Sequence, residues 1–318
     1  MEKHLGKKTR NDLKVVIVSD MEGISGINDW HQIFYGCREF EEIGRIQVTE
    51  DVNATILGLR AAGATDISVV DYHGSGGPSK NVVPERLEKG VKLFQGQDLP
   101  NRLKEAVDKS IVGAVFVGFH AMADTKDGFL RHTINPDPRI RINGKFVGET
   151  ALDAYALSEY DIPVIMVTGD QALVKEASAF LPGVETVQVK TSLDCRTTKC
   201  LPLSKARRLI ETAAKRALLR IGEFKFERIT KPVKVDISFP KKEQADFSEI
   251  IPRTERSAEK TISYKAENWD EADKFIKAAL SLANQYHTRT LMKKLSELEG
   301  SAKVSFEWAE NRINEWLS

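Results

Sequence analysis

Val15–Gly23 reads VVIVSDMEG, a run of β-branched residues that ends in two carboxylates. The apolar run followed by a polar turn predicts a buried β-strand over Val15–Ser19. Asp20 and Glu22 stand directly after it, two residues apart, so an extended chain would point both to the same side. This stretch therefore predicts a central strand with acidic side chains collected at its end.

The same pattern recurs twice downstream, in Ile67–His73 (ISVVDYH) and in Gly113–His120 (GAVFVGFH). Between the first two runs, Glu39–Ala62 carries apolar residues in a helical rhythm. Strands that alternate with helices indicate a parallel sheet covered by helices. We therefore predict an α/β fold, a three-layer sandwich with a mostly parallel sheet.

The pattern changes after Leu201, where a smaller α+β second domain is predicted. Ser204 is the expected cap of a helix, the strand Val233–Phe239 has Lys260–Ala266 as its expected partner, and Asn268 caps a long helix. One or two amphipathic helices with Trp308 and Trp316 follow, and we expect them to pack against the body or a neighbouring subunit. The predicted division is a metal-binding catalytic domain at 1–200, the α+β domain at 201–290 and a helical extension at 291–318.

Composition excludes several classes of protein. The chain has 318 residues, and its 47 basic and 46 acidic side chains give a formal net charge of +1. This balance predicts no nucleic-acid and no membrane-surface partner. No apolar run approaches the length of a membrane span, and the polar stretch Met1–Lys14 does not resemble a secretory signal. Three irregularly spaced cysteines predict reduced thiols in a cytoplasmic protein.

Carboxylates and imidazoles gather where the predicted strands end. Ligands of open parallel sheets bind outside the carboxyl ends of the strands. Three strand ends and a hairpin predicted from Asn143-Gly144 would together supply Asp20, Glu22, His73, His120 and Glu149. Such a set without thiolates is typical of hydrolytic zinc sites, and paired ions commonly share a bridging carboxylate and water. We therefore predict two zinc ions.

Each residue alone also fits a structural role. An aspartate after a strand often forms a turn, a buried histidine often has an internal partner, and Glu149 would favour the start of the helix that follows it. His132 follows His120 by a short loop and would reach the same edge. There it would act as a general acid or base, or polarise a carbonyl.

These motifs resemble the D-aminopeptidase DppA family, zinc peptidases that also carry a dipeptide-transport label. The resemblance runs from about Lys14 to Ala283. Its motifs are SDMEGISG (Ser19–Gly26), VDYH (Val70–His73), VGFHA (Val117–Ala121), INGKFVGETALDAY (Ile142–Tyr155), PVIMVTGD (Pro163–Asp170) and IIPRTE (Ile250–Glu255).

The resemblance implies an α/β sandwich with a smaller α+β domain, assembled into a ring-stacked homodecamer. It implies zinc ligands at the five positions above, with Asp20 bridging both ions. One ion would also bind Glu22 and His120, and the other His73 and Glu149. The catalytic histidine of the family falls on His132. Arg253 stands where the family motif has glycine.

The leading functional hypothesis is a zinc-dependent aminopeptidase. It would hydrolyse short peptides, with an N-terminal D-amino acid, through a hydroxide that bridges two metal ions. One alternative is a non-enzymatic peptide-binding or transport accessory protein. Another is a metal-dependent phosphoester hydrolase, which is disfavoured because no arginine cluster suited to phosphate accompanies the motifs.

Overall fold

A computed structural model describes residues 13–74, 80–96, 99–135, 137–226 and 228–317. The strands are β1 Lys14–Ser19, β2 Asp66–Asp71, β3 Lys92–Phe94, β4 Ile111–Val117, β5 Arg139–Ile142, β6 Lys145–Val147, β7 Val164–Asp170, β8 Glu185–Ser192, β9 Thr198–Cys200, β10 Val233–Ser238, β11 Glu255–Ala258 and β12 Thr261–Ala266. The helices are α1 Arg45–Ala61, α2 Leu99–Ala106, α3 Glu149–Ser158, α4 Gln171–Phe180, α5 Leu203–Leu219, α6 Lys242–Ser248, α7 Trp269–Ala283, α8 Gln285–Ser296 and α9 Ser301–Leu317.

The first sheet has the order β3-β2-β1-β4-β7-β8-β9 and is parallel except for β9. β1 pairs with β2 on one side and with β4 on the other, so it lies at the centre. Its side chains alternate between two cores: Val15 and Ile17 pack on the side of α1 and α5, and Val16 and Val18 on the side of α3 and α4. Helices therefore cover both faces, which confirms the predicted α/β sandwich.

The second sheet is antiparallel, with the order β11-β12-β10-β5-β6. The predicted pairing of β10 with β12 is present, with Val233 opposite Ala266. The Asn143-Gly144 hairpin also forms, and both of its turn residues have positive φ. Apolar side chains of α3, α6 and α7 pack on this sheet and form a separate core.

The elements of the first sheet and those of the second sheet do not separate at residue 200. The hairpin β5–β6 precedes that position but pairs with β10, so it belongs to the second sheet. Helix α5 follows that position but packs on α1 and the first sheet through Ile210 and Ala213. Its N-cap is Pro202 rather than Ser204. Apolar periodicity indicates which face of an element is buried, but not which distant element covers it.

Arg253 occupies an unusual backbone conformation. Its φ is +70°, in the left-handed region that favours glycine, which is the residue that the family resemblance expects here. The guanidinium donates to Glu271 Oε1 at 2.7 Å and to the carbonyl of Lys265 at 3.0 Å, and it lies over the ring of Tyr264. The left-handed conformation costs free energy for any residue with a Cβ, and at Arg253 the contacts of the long side chain offset part of that cost.

Helices α8 and α9 carry apolar side chains that the rest of the chain leaves exposed. Those more than 40% exposed include Leu291, Met292, Leu298, Val304, Phe306, Trp308 and Ile313. No helix in the described ranges has the length and apolar character of a membrane span. Of the polar stretch Met1–Lys14, residues 1–12 lie outside the described residues, and so does the side chain of Trp316.

Gly58 lets α1 and α5 approach each other closely. A Cβ at this position would lie 2.2 Å from the carbonyl oxygen of Glu211 on α5. We expect Gly58→Ala to lower the free energy of unfolding by about 1–3 kcal/mol, as overpacked cores do. The midpoint of urea unfolding at an unchanged m-value measures the loss. Gly222→Ala is the control, because no atom lies within 4 Å of its added Cβ, and an equal effect of both substitutions would contradict the packing argument.

Candidate metal centre

The loops after β1 and β4 press against each other through two glycines. A Cβ on Gly23 would lie 2.0 Å from the carbonyl oxygen of Phe119, and one on Gly118 would lie 2.6 Å from that of Asp20. The close approach is held by backbone hydrogen bonds from Asp20 to Val117 and from Gly23 to Gly118, each 2.8 Å. Side chains that end two separate strands are thereby brought together.

Asp20 lies at the centre of the predicted ligand set and is 3% exposed. Its Oδ1 lies 3.0 Å from His73 Nδ1, and its Oδ2 lies 3.4 Å from His120 Nε2. Glu22 Oε2 is 3.3 Å from the same His73 nitrogen, and Glu149 Oε1 is 3.4 Å from the same His120 nitrogen. All five predicted ligands are buried and lie together.

Backbone carbonyls orient both imidazoles. His73 Nε2 lies 2.9 Å from the carbonyl of Ile33, and His120 Nδ1 lies 3.1 Å from the carbonyl of Ala121. A carbonyl only accepts, so each of these ring nitrogens carries the proton. The other nitrogen of each ring faces the carboxylates, where its lone pair would be available to a cation bound among them. Metal-binding histidines are commonly oriented in this way.

Glu149 and His132 lie on the other side of His120 from Asp20 in sequence order, and both side chains contact it. Glu149 is the first residue of α3 and accepts a hydrogen bond from the backbone N–H of Ile134 at 2.7 Å. His132 stacks on His120 with ring centroids 3.9 Å apart, and its Nε2 lies 3.9 Å from Glu149 Oε1. Its Nδ1 faces the carbonyl of Leu130 at 2.8 Å. With a side chain that is 34% exposed, His132 is more accessible than the five buried residues.

Three groups of these side chains offer donor atoms within 4.8 Å of one another. They are Asp20–Glu22–His73, Asp20–His120–Glu149 and Glu22–His120–His132. Asp20 belongs to two of them, as a bridging ligand would. The grouping of His73 with Glu149 that the resemblance implied is not found among the described residues, because His120 is the imidazole beside Glu149.

The electrostatics of the cluster favour a bound cation. Burial raises the pKa of Asp20 to about 6, and the charge of Glu22 adds to the rise. Burial lowers the pKa of His73, but Glu22 and Asp20 outweigh burial and hold the pKa well above the ordinary value. Within the described chain, Asp20 Oδ2 and Glu22 Oε2 are buried without a hydrogen-bond partner. A divalent ion would supply the positive charge and the ligand bonds that these oxygens lack.

The cluster opens into a cavity of about 480 Å³. Part of its lining consists of the strand ends with Asp20, His73 and His120, and another part is formed by α7 through Ile276 and Leu280. The cavity therefore lies between the strand ends of the first sheet and the core of the second sheet, and its size suits a small organic ligand.

Comparison with known proteins shows the family of the chain. The peptidase M55 family, described as D-aminopeptidase, matches residues 13–278. The chain belongs to this family. The D-aminopeptidase of Bacillus subtilis (strain 168) is 34% identical over 264 residues, covering 82% of this chain and 94% of the relative. The solved structure of DppA from Bacillus subtilis, described as a Zn-dependent D-aminopeptidase and a self-compartmentalizing protease, superimposes with a TM-score of 0.81. It is 32% identical and covers 85% of this chain and 98% of that chain.

Family membership confirms the predicted resemblance and the expectation of a hydrolase of the peptidase class. The metal ligands and the role of His132 stay predictions. The match to the family ends at residue 278, so it does not include α8 and α9.

Lys190 is a supporting residue that sequence reasoning missed. It lies on β8 and is 1% exposed, and its Nζ donates to the carbonyls of Glu22 at 2.7 Å and Ile27 at 2.6 Å. The ammonium thus anchors the loop that carries two predicted ligands. The only sequence signal was a lysine inside the alternating strand VQVK, which reads equally well as a solvent-facing residue.

Replacing Lys190 with methionine is expected to lower the free energy of unfolding by about 2–3 kcal/mol. Methionine fills a similar volume but removes the ammonium donor from two buried carbonyls, and that of Ile27 keeps only the weak thiol donor of Cys200 at 3.7 Å. Chemical denaturation measures the change, with the exposed Lys199→Met on β9 as the matched control. Unchanged stability would mean that the desolvation of the ammonium cancels its hydrogen bonds.

Proposed function

We propose that the protein is a zinc-dependent aminopeptidase that hydrolyses short peptides with an N-terminal D-amino acid. The observation that carries the proposal is the convergence of five buried nitrogen and oxygen donors at the mouth of a cavity of about 480 Å³. The family and the zinc dependence of the Bacillus subtilis relative support it.

The donor set fits two zinc ions. Asp20, Glu22 and His73 would hold one, and Asp20, His120 and Glu149 the other. Imidazole and carboxylate without thiolate is the set found in hydrolytic rather than structural zinc sites. When bound, the ions supply Lewis-acid activation of water and of the scissile carbonyl.

His132 is the residue that we assign to proton transfer or carbonyl polarisation. Its Nδ1 is tied to the carbonyl of Leu130, which leaves Nε2 directed toward the side of Glu149 and the cavity. From this position the ring would stabilise the developing charge on the carbonyl oxygen, or relay a proton to the leaving amine. The hydrogen bond from Nδ1 to the carbonyl of Leu130 holds the ring against rotation, so Nε2 faces each substrate.

The partners that we propose are a short peptide as substrate and further copies of the same chain. The cavity lies between two cores and suits a ligand of a few residues rather than a folded protein. The self-compartmentalizing character of the Bacillus subtilis protease supports a homo-oligomer, and the family resemblance implies a decamer. We place the protein in the cytoplasm, where its three free cysteines would remain reduced.

A comparison of mirror-image substrates tests this function. The zinc-loaded protein is assayed with D-alanine amide and L-alanine amide, and with D-Ala-D-Ala and its L,L counterpart, by release of the amine. We expect turnover of the D substrates, loss of turnover after chelation, and recovery with zinc. Peptide binding without turnover would favour an accessory protein. Faster hydrolysis of a phosphodiester in a parallel panel would favour a phosphoester hydrolase.

A further inference from the structure

Asp153 has a carboxyl oxygen without a hydrogen-bond partner among the described residues, and it lies beside the predicted metal centre. It lies on α3 four residues after Glu149, so both side chains lie on the same face of the helix, with Cβ atoms about 5–6 Å apart. Asp153 lines the cavity and is 8% exposed. Its Oδ1 accepts a hydrogen bond from the hydroxyl of Tyr72 at 3.0 Å. Its Oδ2 is buried and has no hydrogen-bond partner in the described part of the chain.

The other carboxylates of the cavity already have partners. Asp20 and Glu149 belong to the predicted ligand groups. Asp273, on α7, forms an ion pair with Lys277 at 2.6 Å. Burial raises the pKa of Asp153 well above the ordinary value, and the charge of Glu149 adds to the rise. Such a pKa favours the neutral acid, with the charge of Lys277 as only a small opposing contribution. A positively charged ligand would stabilise the ionised carboxylate.

We infer that Asp153, held by Tyr72, binds the ammonium group of the first residue of the substrate. This inference rests on the proposed aminopeptidase function and deepens it. The ammonium nitrogen of a peptide is separated from its first carbonyl carbon by one Cα atom. A carboxylate one helical turn from the ligand Glu149 is therefore at the right range to hold the ammonium while the first carbonyl meets the metal centre.

The assignment explains why cleavage would be confined to the first peptide bond. An internal amide has no adjacent ammonium, so it would leave Asp153 buried and unpaired. Three carboxylate ligands and a bridging hydroxide would together balance two divalent ions, so the loaded centre would carry no net negative charge to attract an ammonium. Asp153 is the carboxylate in the cavity that is left to select for a free amino terminus.

Binding of two hydroxamates separates this role from catalysis. D-alanine hydroxamate and its analogue without the amino group, propionohydroxamate, both offer the same chelating group to zinc and have no peptide bond. Their affinities for the zinc-loaded protein are measured by calorimetry at pH 7.0. We expect the amino compound to bind about 10- to 100-fold more tightly, as one charge-assisted hydrogen bond allows. In Asp153→Asn the preference should disappear, with zinc content unchanged.

Two further variants sharpen the test. Tyr72→Phe removes the only hydrogen bond to Asp153 Oδ1 in the described residues, and it should reduce the preference even if Asp153→Asn fails to fold. Asp273→Asn, a carboxylate of the same cavity that already has Lys277, should keep the preference. A preference that survives in Asp153→Asn, or a wild-type protein that binds neither or both compounds equally, would overturn the inference. Absence of turnover of D-alanine amide with the preference intact would instead refute the proposed function alone.

Discussion

Replacing Asp20 with alanine is expected to lower kcat/KM by about 10⁴-fold or more and to remove most of the bound zinc. Asp20 touches both imidazoles of the cluster and belongs to two of the three donor groups, so its loss weakens both predicted ion sites at once. Residues that act as one catalytic unit show losses of this size when a single member is removed. Peptide turnover and elemental analysis of zinc per chain measure the two effects.

The control for Asp20→Ala is another fully buried carboxylate outside the cluster. Asp51 on α1 accepts from the backbone N–H of Ser25 at 2.8 Å and faces Arg207. Asp51→Asn should destabilise the fold while the zinc content per folded chain is retained. Full zinc occupancy in Asp20→Ala would rule out the bridging role.

His132→Ala is expected to lower kcat by about 10²- to 10⁴-fold while the zinc content stays unchanged, which is the range for loss of a general acid or base. The ring lies at the cavity, so its removal takes away a polar group there. The five buried donors all stay in the chain, although His120 loses its stacking partner. Single-turnover kinetics with D-alanine amide and zinc analysis provide the two measurements.

The zinc content of His132→Ala decides between two roles. Because His132 also forms a donor group with Glu22 and His120, loss of zinc in the variant would assign the ring to the metal shell instead of to proton transfer. His287→Gln serves as the control, since that ring faces Gln244, on α6, at 3.0 Å and does not line the cavity. Its activity should equal that of the wild type.

The first sheet and the clustering of the five predicted ligands at its edge were predictable from the sequence. Apolar runs identify β1, β2 and β4, and the rule that parallel sheets bind ligands at the carboxyl ends of their strands brings Asp20 and both histidines to one edge. Glu149 was placed at the end of the hairpin, and it is in fact the first residue of α3, a shift too small to move its side chain away.

What surrounds the centre was not predictable, because it depends on contacts between distant segments. The pairing of Tyr72 with Asp153 joins positions 81 residues apart, and that of Lys190 with Glu22 joins positions 168 apart. From the sequence alone, the polar side chains of Asp153 and Lys190 could equally well lie on the surface. The transfer of hairpin β5–β6 to the second sheet has the same origin, since its alternation suits either sheet.

The lining of the cavity comes from two separate parts of the fold. Metal binding and the preference for a substrate side chain can therefore be changed independently of each other. Three of the predicted metal ligands, Asp20, His73 and His120, follow strands of the first sheet, whereas Ile276 and Leu280 project from a helix that packs in another core. Exchanging these two aliphatic side chains for smaller or larger ones would alter which residues fit, and the metal-binding side would keep its arrangement. New preferences can thus arise in this scaffold through the helix alone.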